Sequence, residues 1–157
     1  MELVDAINQG LETDALTMIQ SGLYDLGYID SNRKTPLIYS IENDLINVAM
    51  ELIKHDDSNI DFVDGKGKTA LIYAVNKYLD DLCLAIISTG KSNPGNMDRG
   101  ENTALIYAIN NGMESVAIAI IQTGESYAWS VDPLIAQDMP VVQNMIINYP
   151  KPQFVYS

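Results

Sequence analysis

Cysteine, histidine and cations are all scarce in this chain. The single cysteine, Cys83, excludes an internal disulfide and a multi-cysteine zinc site, and it fits a reducing compartment. The single histidine, His55, has no histidine or cysteine neighbour with which to hold a metal. Nine Lys and Arg stand against 21 Asp and Glu, a formal charge of −12. The chain therefore lacks the cationic surface that nucleic acid and anionic membranes require. Long apolar runs are missing too: the stretch from Val116 to Ile121 is far too short to span a bilayer. Met1 to Asp5 carries neither the basic start nor the apolar run of a signal peptide. These absences lead us to expect a soluble, intracellular, cytoplasmic chain that binds neither nucleic acid nor membrane directly.

Catalytic signatures are lacking as well. Gly65-Lys66-Gly67-Lys68-Thr69 ends in Gly-Lys-Thr but has neither the full spacing of a phosphate loop nor a buried strand before it. The carboxylate pairs Asp56-Asp57 and Asp80-Asp81 are neighbours in sequence, and nothing in the pattern brings them across a cleft. No catalytic residue, metal site or cofactor is expected, and the chain does not read as an enzyme.

What the chain has is a phrase used three times. Thr35-Pro36-Leu37-Ile38-Tyr39-Ser40 returns as Thr69-Ala70-Leu71-Ile72-Tyr73-Ala74 and as Thr103-Ala104-Leu105-Ile106-Tyr107-Ala108, at steps of 34 residues. A fixed period in this range marks stacked supersecondary units. The period reaches beyond the phrase. Leu3, Leu37, Leu71 and Leu105 form one column, Ile7, Ile41, Val75 and Ile109 a second, and Ile19, Ile53, Ile87 and Ile121 a third. Two columns are small: Ala6, Ser40, Ala74, Ala108, and Ala15, Ala49, Cys83, Ala117. Cys83 thus reads as buried packing. Inside each unit the apolar spacing is helical, giving two short antiparallel helices that turn near Gln9-Gly10, Asn43-Asp44 and Asn111-Gly112. Thr35 suits an N-cap, with Pro36 at the first helical position, where no amide proton is needed. Gly22, Gly90 and Gly124 suit left-handed ends of the second helices, and Asp56 takes that place in the second unit.

Between the helix pairs lie loops rich in Asp, Asn, Gly and Lys, the chemistry of turns flanking a short extended segment. An aspartate sits five residues before each threonine, at Asp30, Asp64 and Asp98, where it can accept backbone amides. The last unit is shorter. Val131-Asp132-Pro133-Leu134-Ile135-Ala136 echoes the phrase, and Pro140 starts a second helix through Ile147. A shortened terminal unit suits the covering of a solenoid's open end. The fold expected is an all-α repeat solenoid of four to five helix-turn-helix units joined by short hairpin-type loops. It forms a single domain over residues 1–149, with units at about 1–34, 35–68, 69–102 and 103–130, a capping unit at 131–149, and a tail at 150–157.

The tetratricopeptide repeat shares the 34-residue period, but its Trp, Leu-Gly, Tyr, Ala, Phe and Pro signature is missing. The phrase instead resembles the T-P-L-H-x-A of the ankyrin repeat, and Asp64-Gly65-Lys66-Gly67-Lys68-Thr69 resembles that family's D-x-x-G-x-T hairpin. Isoleucine replaces the family's histidine at Ile38, Ile72 and Ile106, which removes the hydrogen bonds that histidine makes between units. The resemblance implies a non-enzymatic binding module whose protein partner docks on a concave face made of hairpin tips and first helices. Carried over by position, that face holds Tyr39, Tyr73 and Tyr107, with Glu42, Asn43, Asn76, Lys77, Asn110 and Asn111 beside them. Tyrosine offers a large rigid contact with a polar tip; alternatively, each ring packs on the adjacent hairpin. Arg33, Lys34, Lys66, Lys68 and Arg99 lie at the hairpin tips, either meeting an acidic partner or simply solvated. Two other functions stay open: an acidic inhibitor occupying the basic nucleic-acid-binding surface of an enzyme, and a self-assembling spacer. A well-capped array is expected to be a monomer.

Overall fold

The computed structural model describes residues 2–153, so Phe154 to Ser157 of the tail lie outside the described residues. Four helix pairs succeed one another: α1 (Leu3–Asn8) and α2 (Glu12–Ser21), α3 (Pro36–Glu42) and α4 (Ile46–Leu52), α5 (Ala70–Asn76) and α6 (Asp80–Ser88), α7 (Ala104–Asn110) and α8 (Glu114–Gln122). First helices pack on first helices and second on second, which gives two layers of stacked helices. No strand is present among the described residues. Each hairpin is a tight turn closed by two backbone bonds, in the middle copy Asp64 N–H to Lys68 C=O at 3.0 Å and Gly67 N–H to Asp64 C=O at 3.1 Å.

Side-chain oxygens set where the first helices begin. The hydroxyls of Thr35, Thr69 and Thr103 accept the amides of Ile38, Ile72 and Ile106 at 3.3, 3.3 and 3.4 Å. Each satisfies an amide that the helix itself cannot. Pro36 occupies the first turn of α3. Most columns are core, although Ile53 and Ile87 of the third are only partly buried. Leu37, Leu71 and Leu105 are fully buried, as are Ala15, Ala49, Cys83 and Ala117. Each leucine so buried stabilises the stack by about 2 kcal/mol. The small column lets the helices approach closely, and burial there pushes the Cys83 thiol up to about 12.

Helix ends keep to the period less closely. Asp56 is not left-handed; α4 stops at Leu52, and the left-handed residue of that loop is Asn59, with φ 53°. The same place 34 residues on holds Asn93 and then Tyr127, both left-handed. A second such column lies at the turn inside each helix pair, at Gly10, Asp44, Tyr78 and Gly112. Glycine relieves strain at that place in the first and last of these units, whereas Tyr78 adopts φ 58° with a side chain that disfavours it.

The shortened final unit forms two 3-10 turns, Ala128–Ser130 and Pro133–Ala136, and then α9 (Pro140–Ile147). Its inner side, with Ala128, Ala136, Val142 and Ile146 buried, covers the α7–α8 pair. Its outer side mixes polar residues such as Asp138 and Asn144 with apolar ones. Leu134, which echoes the leucine column, is 70% exposed, and Ile147 is 60% exposed.

Candidate functional site

The hairpins and the first helices are joined by one motif repeated three times. In the middle copy, Asp64 Oδ1 accepts the amides of Lys66 and Lys68, both at 2.8 Å, while Oδ2 accepts the Tyr73 hydroxyl at 2.6 Å. Asp30 holds Asn32, Lys34 and Tyr39 in the same way, and Asp98 holds Gly100, Asn102 and Tyr107. The aspartate therefore shapes the turn with one oxygen and ties it to the helix nine residues later with the other. Burial works to raise the Asp30 and Asp98 carboxyls, but the tyrosine hydroxyls and turn amides outweigh it and hold both below their ordinary value. The tyrosines move the opposite way. Burial and then the Asp30 bond raise Tyr39, burial and then Asp64 raise Tyr73, and the Asp98 bond, with burial second, raises Tyr107.

Between the rings stand lysines. Lys34 Nζ lies 5.3 Å from the Tyr39 ring centre and 5.9 Å from that of Tyr73. Lys68 Nζ lies 6.0 Å from Tyr73 and 5.5 Å from Tyr107. The resulting order along the stack is Tyr39, Lys34, Tyr73, Lys68, Tyr107. Each contact of this kind contributes on the order of 1 kcal/mol at a partly exposed site. Lys34 is also paired with Glu42 at 2.6 Å, so it is not a freely solvated tip residue.

The remaining residues singled out from the sequence divide into stitches and exposed groups. Lys77 Nζ donates to the Glu42 carbonyl and to Asp44, tying the third unit to the second. Asn43 donates to the Tyr39 carbonyl and to Asn8 of the first unit, and Asn111 donates to the Val75 carbonyl of the third. Asn76 is half-buried and Asn110 exposed. At the tips, Arg33, Lys66 and Arg99 are exposed. The Arg33 guanidinium stands 5.5 Å over the Phe62 ring, and the Arg99 amide donates to the Lys66 carbonyl across neighbouring hairpins.

Two features escape a reading of the sequence alone. Asn59 donates to the Gly27 carbonyl at 2.7 Å, and Asn93, 34 residues on, makes the equivalent bond to Asp61 at 3.3 Å. The recurrence of Asn at one loop position is the available signal. The second is the constant nine-residue offset between aspartate and tyrosine, which signals a bond once both columns are seen together. Neither Ile38 nor Ile72 leaves a polar gap where the family has histidine, since both are buried in the core. Links between units are made by asparagines and lysines, among them Asn43, Asn59, Lys77, Asn93 and Asn111.

A two-layered helical stack, with hairpins projecting at regular steps and a row of ring and cation contacts along one edge, defines a helical repeat solenoid. The family model described as ankyrin repeats (3 copies) matches residues 3–92, more than half of the chain. The chain belongs to the ankyrin-repeat family. Arrays of this family generally serve as protein–protein interaction modules and are typically non-enzymatic. No curated protein matches the chain. Among the described residues, no group of His, Cys, Asp or Glu is arranged to hold a metal ion, and no helix is long and apolar enough to cross a membrane.

Proposed function

We propose that this array binds another protein along the edge formed by its hairpin tips and first helices, without catalysing a reaction. The observation that carries the reading is the row itself: three rings and two lysines held in register over three units. Its groups are fixed before any partner arrives, so little conformational entropy is lost on binding. The tyrosine hydroxyls are engaged by the aspartates of the hairpins that precede them, so Tyr39, Tyr73 and Tyr107 contribute ring surface and rigidity. The exposed Arg33, Lys66, Arg99 and Asn110 set the partner's orientation. These tips favour a partner surface that is acidic or rich in carbonyl groups.

The inhibitor of a basic enzyme surface is the competing reading. It is supported by Asp80, Asp81 and Glu114, which are exposed and form no ion pair among the described residues. One experiment separates the two. A partner is identified by affinity purification from the native source with mass spectrometry, and then titrated with two variants of the chain. If the tips bind, Arg33→Glu/Lys66→Glu/Arg99→Glu weakens the complex by tenfold or more, on the order of 1.4 kcal/mol, while Asp80→Asn/Asp81→Asn/Glu114→Gln leaves it intact. The opposite pattern, with binding that collapses as salt rises, refutes tip-edge binding.

A further inference from the structure

The repeat symmetry points to a recognition site in the first unit. Residues 34 apart stand in equivalent places, so the place of Phe62 in the second unit is that of Tyr28 in the first. Phe62 receives the Arg33 guanidinium from the preceding hairpin, 5.5 Å from its ring centre. Tyr28 has no such cover: it is 49% exposed, and among the described residues no cation stands over it. A cavity of about 270 Å³ adjoins it instead, lined by Tyr24, Tyr28, Glu2, Asp5 and Asp25 among others.

The first unit also differs at the neighbouring position. Where the second presents the Tyr39 ring to Lys34, the first presents the carboxylate of Asp5. Asp5 accepts the Glu2 amide and Asp25 accepts the Gly27 amide, which fixes both carboxylates at the rim. Glu2, Asp5 and Asp25 form no ion pair among the described residues. The internal copy thus supplies the chemistry of the occupant, and the rim supplies the opposite charge.

We propose that this pocket takes an arginine side chain from a basic segment of a partner protein, its guanidinium stacked on Tyr28 as Arg33 stands over Phe62. Arginine fits better than lysine because its planar group can stack on the ring while its edge donates to carboxylates. The pocket adjoins the first hairpin through Asp30, which also lines it and holds Tyr39; Tyr28 lies outside the row of rings and lysines, so Tyr28→Ala tests the pocket without altering that row.

The test titrates the full chain, labelled with nitrogen-15, with the peptide acetyl-Asn-Arg-Lys-Thr-amide at 0.15 M salt. This probe copies residues 32–35 of the chain itself. Saturable shifts centred on residues 2–5 and 24–30 are expected. Tyr28→Ala is expected to weaken binding about fivefold, as is replacing the peptide's arginine by alanine. The exposure of Tyr28 means that Tyr28→Ala should keep the rest of the spectrum unchanged, which verifies folding in the same experiment. Tyr78→Ala, at another exposed tyrosine, should leave the affinity as it is. The proposal is overturned by an absence of saturable shifts, by shifts spread over the acidic surface, or by equal affinity for the alanine peptide.

Discussion

Replacing Tyr73 by phenylalanine isolates the role of the hydroxyl from that of the ring. The ring keeps its place beside Lys34 and Lys68, and the bond lost is the 2.6 Å contact to Asp64. A hydrogen bond to an ionised carboxylate contributes about 1.5–3 kcal/mol. Asp64 is only 5% exposed, so its Oδ2 is left without that donor in a mostly dry place. Because Tyr73 itself is half-buried, the lower part of the range applies, about 2 kcal/mol. For a chain of this size that lowers the melting temperature by about 4–8 °C. Asp64→Ala also strips the amides of Lys66 and Lys68 of their acceptor, and about 4 kcal/mol is expected. The assay is urea unfolding of wild type, both single variants and the double variant, monitored by far-UV circular dichroism. Wild-type and variant transitions must be compared for breadth, since a repeat array can lose cooperativity when one unit weakens. A coupling of about 1.5 kcal/mol or more between the two positions is expected. If Tyr73→Phe lies within about 0.5 kcal/mol of wild type and the coupling vanishes, the hydroxyl is not a lock, and its availability to a partner is restored.

Tyr78→Gly should raise stability by about 1 kcal/mol, because it relieves a left-handed backbone at a residue whose side chain is 63% exposed; a lowered urea midpoint would contradict this. Gly95→Ala should cost at least about 2 kcal/mol, since its Cβ would stand 2.6 Å from the Glu125 carbonyl oxygen and 2.5 Å from the Tyr127 ring; a melting temperature equal to wild type would count against the packing described. The Asp30 and Asp98 carboxyls are held below their reference value of 3.8, so the stability they contribute is present above that pH and lost as pH falls through their folded values. Asp30→Asn/Asp98→Asn should therefore lose less stability than wild type as pH falls from 7 to 3, and an equal loss would refute the assignment. At the alkaline end the sign reverses: Tyr39, Tyr73 and Tyr107 are raised above 10.0, so their contribution is complete below that pH and lost as pH rises through their folded values. An ultraviolet titration in which all tyrosines ionise together near pH 10 would show that these three hydroxyls are free.

Much of the fold is legible in the chain because the stack is built from local pieces repeated at one interval. Thr35, Thr69 and Thr103 cap helices through an amide three residues away, and the leucine column faces the core because helical spacing puts it there. Both are consequences of short-range geometry. The final unit is less legible: Pro133–Ala136 closes into a 3-10 turn and leaves Leu134 exposed, although its letters echo a helix whose leucine is buried. An echoed leucine is buried only if another unit packs on it, and that depends on the neighbour the stack supplies.

By itself the sequence determined the period, the two helices of each unit, the capping threonines and the columns that form the core. Tertiary structure alone decided what the polar residues do. Tyr73 reads equally well as an outward anchor or an inward lock until the hairpin folds back and places Asp64 within 2.6 Å of its hydroxyl. Lys34 reads as a solvated tip until the next unit stacks and brings a second ring within 5.9 Å. The physical reason is that a buried apolar residue is specified by its own helix face, whereas a hydrogen bond or cation contact is specified by two groups whose distance is set by how the units stack.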